Sequence, residues 1–512
     1  MDVDPGEGES ETDLRPNARN DVDFREVELK LEIEPGAAEA LFDHPLLRGS
    51  LGEPRQNDSV YYDTRKGALR AAGVSLRVRR IGGRFVQTVK SGARAAAGLF
   101  DRSEWEQPIA GPEPELDRVC DIEPILDKPA VRRALKPVYE TRFERRTCMI
   151  DRAGARIELV VDQGEVVAGG HSQALAEVEL ELIEGPAAAL FALARELQSH
   201  ADLRLGVMTK SERGARLASG KASRATKAEP VRLSPSMNVA DSFRAIALAC
   251  LRHFRANEPL VIAARDVDAL HQSRVALRRL RSAFSLFRPV LAGPEYERFR
   301  SELRTLSGTL GMARNLDVLL ARRSEDLSKR SRQRLIEERG RAYDQAIAAL
   351  RSAHVRTMMI DLAEWIALSG AEKHGDQPIR PFADSVLDRF WRKVRRRGRI
   401  LRDLDDIERH ELRIAAKKLR YAGEFFARLY ADNGGADARD GFLTAIAAMQ
   451  EGLGGLNDLA TEAELAEDLR RRGIELPRHR SGDARSARDA LIAASDQSYR
   501  RLAEAGMFWD PH

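Results

Sequence analysis

The chain has 512 residues, too many for one ordinary core, so two or three domains are expected. Hydrophobic residues make up 43%, enough for packed cores, and charged residues 32% with a net charge of +4, so any strong basicity is local. Three scattered cysteines, Cys120, Cys148 and Cys250, argue against a disulfide framework or a zinc knuckle, and no apolar run is long enough for a bilayer, so a cytoplasmic protein with no membrane partner is expected.

Residues 1–20 are rich in Asp, Glu, Gly and Pro and read as a disordered acidic tail rather than a targeting signal. From residue 21 to 218 strands dominate. In Glu26-Val27-Glu28-Leu29-Lys30-Leu31-Glu32-Ile33, apolar and charged residues alternate with the two-residue period of a strand. Val74, Leu76 and Val78 alternate with Ser75, Arg77 and Arg79; Gly82-Gly83 marks a hairpin turn, and Phe85 to Lys90 follows. Ser103 to Glu106, the segments around Arg142 and Glu144 and around Ile157, Leu159 and Val161, and Glu177 to Leu182 repeat the pattern. Helices are expected at Gly36 to Leu47 and at Pro186 to His200.

A sheet with one charged face on every strand admits two arrangements. The charged faces can point to water with cross-strand ion pairs, or line a closed barrel whose apolar outside is covered by helices. Inward charge of both signs suits a polyanion bound with a divalent metal, because guanidinium and ammonium groups take phosphate oxygens and carboxylates take the cation.

The run Glu26-x-Glu28-x-Lys30 resembles the signature of the CYTH family, the triphosphate tunnel metalloenzymes. The similarity continues through "SLRVRRIGGRFVQTVKSG" (Ser75 to Gly92), "DRSEWE" (Asp101 to Glu106), "TRFERR" (Thr141 to Arg146), "RIELVVDQGEV" (Arg156 to Val166), "AEVELEL" (Ala176 to Leu182) and "TKSERG" (Thr209 to Gly214). The resemblance implies an eight-stranded antiparallel β tunnel with flanking helices. It implies that Lys30, Arg77, Arg79, Lys90, Arg142 and Lys210 clamp phosphates. Glu26, Glu28, Asp162, Glu177 and Glu179 would hold metal, Mg²⁺ or Mn²⁺, or orient the attacking water; with Lys30, all of these except Asp162 form the implied catalytic set. Glu104, Glu106 and Glu158 are open between a tunnel role and a structural ion pair. The implied reaction is hydrolysis of inorganic triphosphate to pyrophosphate and phosphate, with thiamine triphosphate or nucleotides as alternative substrates.

Residues 219–235 are poor in large apolar residues and read as a linker. Beyond it, residues 236–510 are helical and duplicated, in copies of about 236–375 and 376–510. "ADSFRAIALACLRHFRAN" from Ala240 answers "ADSVLDRFWRKVRRRGRI" from Ala383, "HQSRVALRRLRS" from His271 answers "HELRIAAKKLRY" from His410, and "LGMARNLDVL" from Leu310 answers "LGGLNDLA" from Leu453. Three blocks in one order, at nearly one spacing, indicate two copies of a helical bundle. His271, Arg274, Arg278 and Arg281, and likewise His410, Arg413, Lys417 and Arg420, fall on one stripe of their helix. Lys393 and Arg396, in the basic run from Arg392 to Arg397, add to this surface.

These blocks resemble the CHAD domain, the conserved-histidine α-helical domain, whose members are similar to basic modules that bind inorganic polyphosphate. Metal binding by the histidines is disfavoured because each lies among cations. Nucleic-acid binding is disfavoured because aromatics are only 6% of the chain and hardly interleave with the basic stripes. The whole chain thus resembles bacterial inorganic triphosphatases that join the two domains, expected in the cytoplasm in association with polyphosphate granules. The alternative is a granule-binding protein with little catalysis. All matched tunnel residues precede the linker, so the halves are expected to be chemically separable.

Overall fold

The computed structural model describes residues 25–96, 98–117, 119, 123–222, 224–369, 375–430, 436–476 and 481–510. The acidic tail and Cys120 lie outside the described residues; Cys148 and Cys250 are buried free thiols.

The strands are β1 (Arg25–Ile33), β2 (Arg55–Thr64), β3 (Ser75–Ile81), β4 (Arg84–Ala96), β5 (Leu99–Ile109), β6 (Leu135–Arg152), β7 (Ala155–Ala168), β8 (His171–Glu184) and β9 (Arg204–Leu205). All pairings are antiparallel, in the order β5-β4-β3-β2-β6-β7-β8-β1-β9. Residues Arg25 to Leu29 of β1 also pair with β5, which joins the sheet's edges into an eight-stranded ring with β9 as a two-residue appendage. Gly82 and Gly83, both at positive φ, make the tight β3–β4 hairpin.

The apolar residues of β1 face outward. Leu29, Leu31 and Ile33 join Leu159 and Val161 of β7, Val178 and Leu180 of β8, and the buried stripe of α2 (Ala188–Leu197). The helix expected from Gly36 is shorter, α1 (Ala38–Phe42). Helix α3 (Lys210–Ala218) packs on β6, β7 and β8; its N-cap is Thr209, in a capping box with Glu212.

The helical half, its short helices aside, comprises α4 (Val239–Arg255), α5 (Val267–Leu286), α6 (Pro294–Arg323), α7 (Lys329–Arg351), α8 (Ala353–Glu364), α9 (Ile379–Gly398), α10 (Asp406–Phe426), α11 (Ala436–Arg471) and α12 (Ser481–Ala505). Helices α4 to α7 and α9 to α12 each pack on the next helix in the chain in the two copies, and α5 packs against α10. The copies start side by side, where an antiparallel bridge joins Asn238 to Pro378.

Part of the segment expected as a linker is anchored to the folded units. Val231 and Leu233 are buried, and Asn257 bonds both the N–H and the carbonyl of Thr226. The outer core of the ring continues without a break into the helices, through Val239, Phe243 and Ile246 of α4. Among the described residues, no helix is long and apolar enough to cross a membrane.

Candidate active site

The two-residue period that puts Leu29 and Leu31 outside turns Glu28 and Lys30 into the ring. The interior of the ring opens into a cavity of about 2720 Å³ lined by Glu28, Lys30, Arg77, Arg79, Lys90, Glu104, Glu106, Arg145, Glu158, Glu179 and Lys210 and, outside the ring, by part of the linker and by Arg244, Leu248 and Arg252 of α4. Strand register sets the charges opposite one another: Lys30 faces Glu179 across β1–β8, Asp162 faces Glu177 across β7–β8, and Lys90 faces Glu104 across β4–β5.

At the deepest point, three carboxylates meet three cations. Asp162, Glu177 and Glu179 each bring one oxygen within 4.8 Å of the others. Lys210 Nζ lies 2.7 Å from Asp162 and 3.0 Å from Glu179, and also bonds Glu177. Lys30 Nζ lies 3.2 Å from Glu177 and also bonds Glu179. Arg145 forks onto both oxygens of Asp162, at 2.7 and 2.6 Å, and reaches Glu179 at 3.3 Å. Asp162 and Glu177 are fully buried and Lys30 nearly so, an arrangement that only mutual pairing sustains.

The titration of the cluster follows. Burial pushes Asp162 and Glu179 toward neutrality, but Lys210 with Arg145, and Lys210 with Lys30 and Arg145, outweigh it and hold both carboxyls below their usual range. For Glu177 burial, helped by Glu179, outweighs Lys210 and Lys30, and the carboxyl titrates higher than usual. Burial lowers Lys30 and Lys210, yet their carboxylate partners raise both above the usual ammonium value. Thus two adjacent glutamates are driven apart in pKa.

A second group lies on β3, β4 and β5. Arg77 is 3.7 Å from Glu104 and 3.6 Å from Glu106, Arg79 is 3.9 Å from Glu106, and Lys90 is 2.7 Å from Glu104. The buried Nε atoms of Arg77 and Arg79 have no hydrogen-bond partner.

The expectation for Arg142 needs correcting. Arg142 is half-exposed on the outer face of β6, beside Glu140 and Glu165. The cation that β6 contributes to the cluster is Arg145, which shares the inner face with Tyr139 and Phe143. The signal was parity along the strand, but "TRFERR" holds arginines of both parities, and only the pairing of Arg145 with Asp162 across β6–β7 tells them apart. The backbone of Glu26 lies in β1; its side chain falls outside the described residues.

The carboxylate trio fits a hard divalent cation, being all oxygen donors, and the buried Glu177 Oε2 has no hydrogen-bond partner.

In the helical half, the stripes of both copies converge between α5 and α10. Lys417 is lowered to about 8 by burial first, then by Arg413, Arg278, Arg281 and Lys418. Burial, Arg278 and Arg314 pull Arg274 down to about 10, and burial with Arg314, Arg278 and Arg274 lowers His271 below the usual imidazole value. Burial with Arg304 and Arg300 lowers Arg281; burial, then Lys393, Arg389, Arg300 and Arg288 lower Lys418. Arg278 bonds the Tyr421 hydroxyl at 3.0 Å, and Arg420 is paired with Glu424 at 2.7 Å. Lys393, Arg396 and His410 are exposed. Arg314 and Lys418, which the stripe pattern did not include, belong to this surface; both lie within or beside the repeat blocks.

Residues 25–215 match the CYTH domain and residues 245–467 the CHAD domain. An inorganic triphosphatase of Haemophilus influenzae is 28% identical over 195 residues, 37% of this chain and 54% of that protein. An uncharacterised protein of Mycobacterium tuberculosis is 27% identical over 192 residues, 34% of this chain and 36% of that protein. The matched region therefore spans about half of the first relative and about a third of the second. Among solved structures, the CHAD domain from the plant Ricinus communis is 28% identical with a TM-score of 0.45, over 55% of this chain and 97% of that one. A Hippeastrum protein described as a putative adenylyl cyclase with a dominant triphosphatase activity is 22% identical with a TM-score of 0.29, over 38% and 96%. The chain is a CYTH domain followed by a CHAD domain.

Proposed function

We propose that the ring hydrolyses inorganic triphosphate to pyrophosphate and phosphate with a divalent cation, Mg²⁺ or Mn²⁺, and that the helical half binds inorganic polyphosphate. The observation that carries the first part is the six-membered cluster of Lys30, Arg145 and Lys210 with Asp162, Glu177 and Glu179 inside a closed ring. Phosphoryl transfer needs positioning and charge neutralisation more than covalent chemistry. A bound triphosphate draws Lys30, Lys210 and Arg145 onto its oxygens and frees the three carboxylates. Asp162, Glu177 and Glu179 would then hold the cation, which neutralises charge on the phosphate oxygens. Arg77, Arg79 and Lys90 offer donors for the far end of the substrate, and the Nε atoms of Arg77 and Arg79, buried without a hydrogen-bond partner, support that role. Glu28 lines the same cavity, and in this reading it helps to hold the cation or orients the attacking water.

The polyphosphate reading rests on cations of both repeats crowding together, Lys417 with Arg278 and Arg281 of the other copy. Mutual repulsion of this kind is relieved by a polyanion. In the cell this reading places the protein in the cytoplasm, with polyphosphate granules. The test is a panel of triphosphate, thiamine triphosphate, ATP and long polyphosphate, assayed for phosphate release with Mg²⁺, with Mn²⁺ and with chelator. Triphosphate turned over fastest, and only with metal, supports the proposal. No release from any substrate would leave the granule-binding alternative.

A further inference from the structure

The segment after α2 clasps Lys30 from behind. Leu205 and Arg204 of β9 pair with Leu31 and Glu32 of β1, and the Gly206 N–H donates to the Lys30 carbonyl at 2.8 Å. Gly206 has no room for a side chain, since a Cβ there would sit 2.8 Å from Lys30 Cγ. Both flanks of this clasp are held by the first helix of the helical half. Arg255 donates from Nε to the Leu205 carbonyl at 3.0 Å, and Arg252 donates from Nη1 to the Val207 carbonyl at 2.6 Å.

The same two guanidinium groups reach the flanks of both lysines. Arg255 Nη2 lies 3.3 Å from Glu32, two residues along β1 from Lys30, and Glu32 is bonded in turn by Arg213 of α3. Arg252 Nη2 bonds Glu212 Oε1, while Glu212 Oε2 accepts from the Thr209 N–H at 2.9 Å and completes the capping box that starts α3. Lys210, which meets all three carboxylates, is the first residue of that helix.

We propose that Arg252 and Arg255 of α4 are positioning residues for Lys210 and Lys30, so that the helical half completes the tunnel's phosphate site. The sequence-based expectation of two separable halves is replaced by one in which the CYTH site is held from the CHAD side. The inference rests on the triphosphatase reading for its substrate but not for its geometry.

The test uses the full-length chain. Arg252 is the better probe, because Arg255 is buried between Glu32 and Glu258 and its loss strands two carboxylates. Arg252→Ala, Arg252→Lys and Arg195→Ala are compared for triphosphate hydrolysis with Mg²⁺ and for calorimetric triphosphate binding in chelator. Arg195 joins α2 to α8 through Asp361 at 3.2 Å and Glu364 at 2.5 Å, so it anchors the same domain contact away from the lysines. Arg252→Ala is expected to lower kcat/KM by about 10-fold or more, mainly through KM, and to weaken binding in parallel. Arg252→Lys should recover part of the loss, and Arg195→Ala should leave both readouts unchanged. Unaltered kinetics and binding in Arg252→Ala, or an equal loss in Arg195→Ala, would overturn the proposal. If the wild-type protein releases no phosphate, the triphosphatase reading falls while the calorimetric comparison still decides this inference.

Discussion

Replacing Lys417 by Met should stabilise the protein at pH 7 while weakening its hold on polyphosphate. Burial and then Arg413, Arg278, Arg281 and Lys418 bring this lysine from 10.5 to about 8. At about 1.4 kcal/mol per unit, keeping it charged in the folded protein costs at most about 3.5 kcal/mol. Because the folded pKa lies below the unfolded one, the cost is fully present below pH 8. It disappears as the pH rises from about 8 toward 10.5, and over that window the ligand-free protein gains stability. A bound polyanion favours the charged lysine, so binding takes up a proton above pH 8. Affinity should be about 10-fold lower at pH 9 than at pH 7. Arg274, lowered only to about 10, stays charged across that range. The assay is a titration of fluorescently labelled polyphosphate at pH 7 and pH 9 at one salt concentration, with calorimetric melting of wild type and Lys417→Met. A variant that melts lower at pH 7, or a wild-type affinity equal at the two pH values, would refute the reasoning.

Three further outcomes are expected. Glu28→Gln keeps the shape of a buried cavity residue but removes its charge, and should cost on the order of 10²-fold in triphosphate turnover with the melting temperature retained; undiminished turnover at saturating Mg²⁺ excludes Glu28 from the chemistry. Arg145→Lys, which cannot fork onto Asp162, should lower kcat/KM by about 10-fold, whereas Arg142→Ala on the outer face should leave it unchanged; the reverse result means that β6 runs one residue out of the register described. Changing Arg274, Arg278, Arg413 and Lys417 together to Gln should abolish most polyphosphate binding and its steep salt dependence while triphosphate turnover persists. Comparing labelled polyphosphate with duplex DNA at two salt concentrations checks this, and equal affinity for both in the wild type reduces the surface to a generic basic one.

The alternation from Glu26 to Ile33 was legible because a half-buried strand must repeat every two residues, and the outward packing of Leu29, Leu31 and Ile33 obeys it. The Gly82-Gly83 hairpin and the duplicated helices were legible for similarly local reasons. Arg145 was not, since the choice between it and Arg142 depends on which residue of a distant strand, Asp162, stands opposite. The two-residue β9 carries no period at all, yet it pairs with Leu31 and Glu32 and brings Gly206 onto the Lys30 carbonyl. The anchoring of Thr226 escaped composition because its partner, Asn257, lies beyond α4, and the bonds of Arg252 and Arg255 to the carbonyls of Val207 and Leu205 escaped it because they join segments far apart in the chain. The meeting of α5 with α10, which turns two unremarkable basic stripes into one crowded surface, is likewise a property of the assembled chain.

The most direct measurement of the central claim follows inorganic triphosphate by phosphorus NMR in the presence of the full-length protein and Mg²⁺, with chelator added midway. The account predicts pyrophosphate and phosphate appearing in equal amounts and conversion halting at chelation, because Asp162, Glu177 and Glu179 alone do not supply the neutralising charge. Triphosphate that persists unchanged, or is consumed at the same rate after chelation, would contradict it.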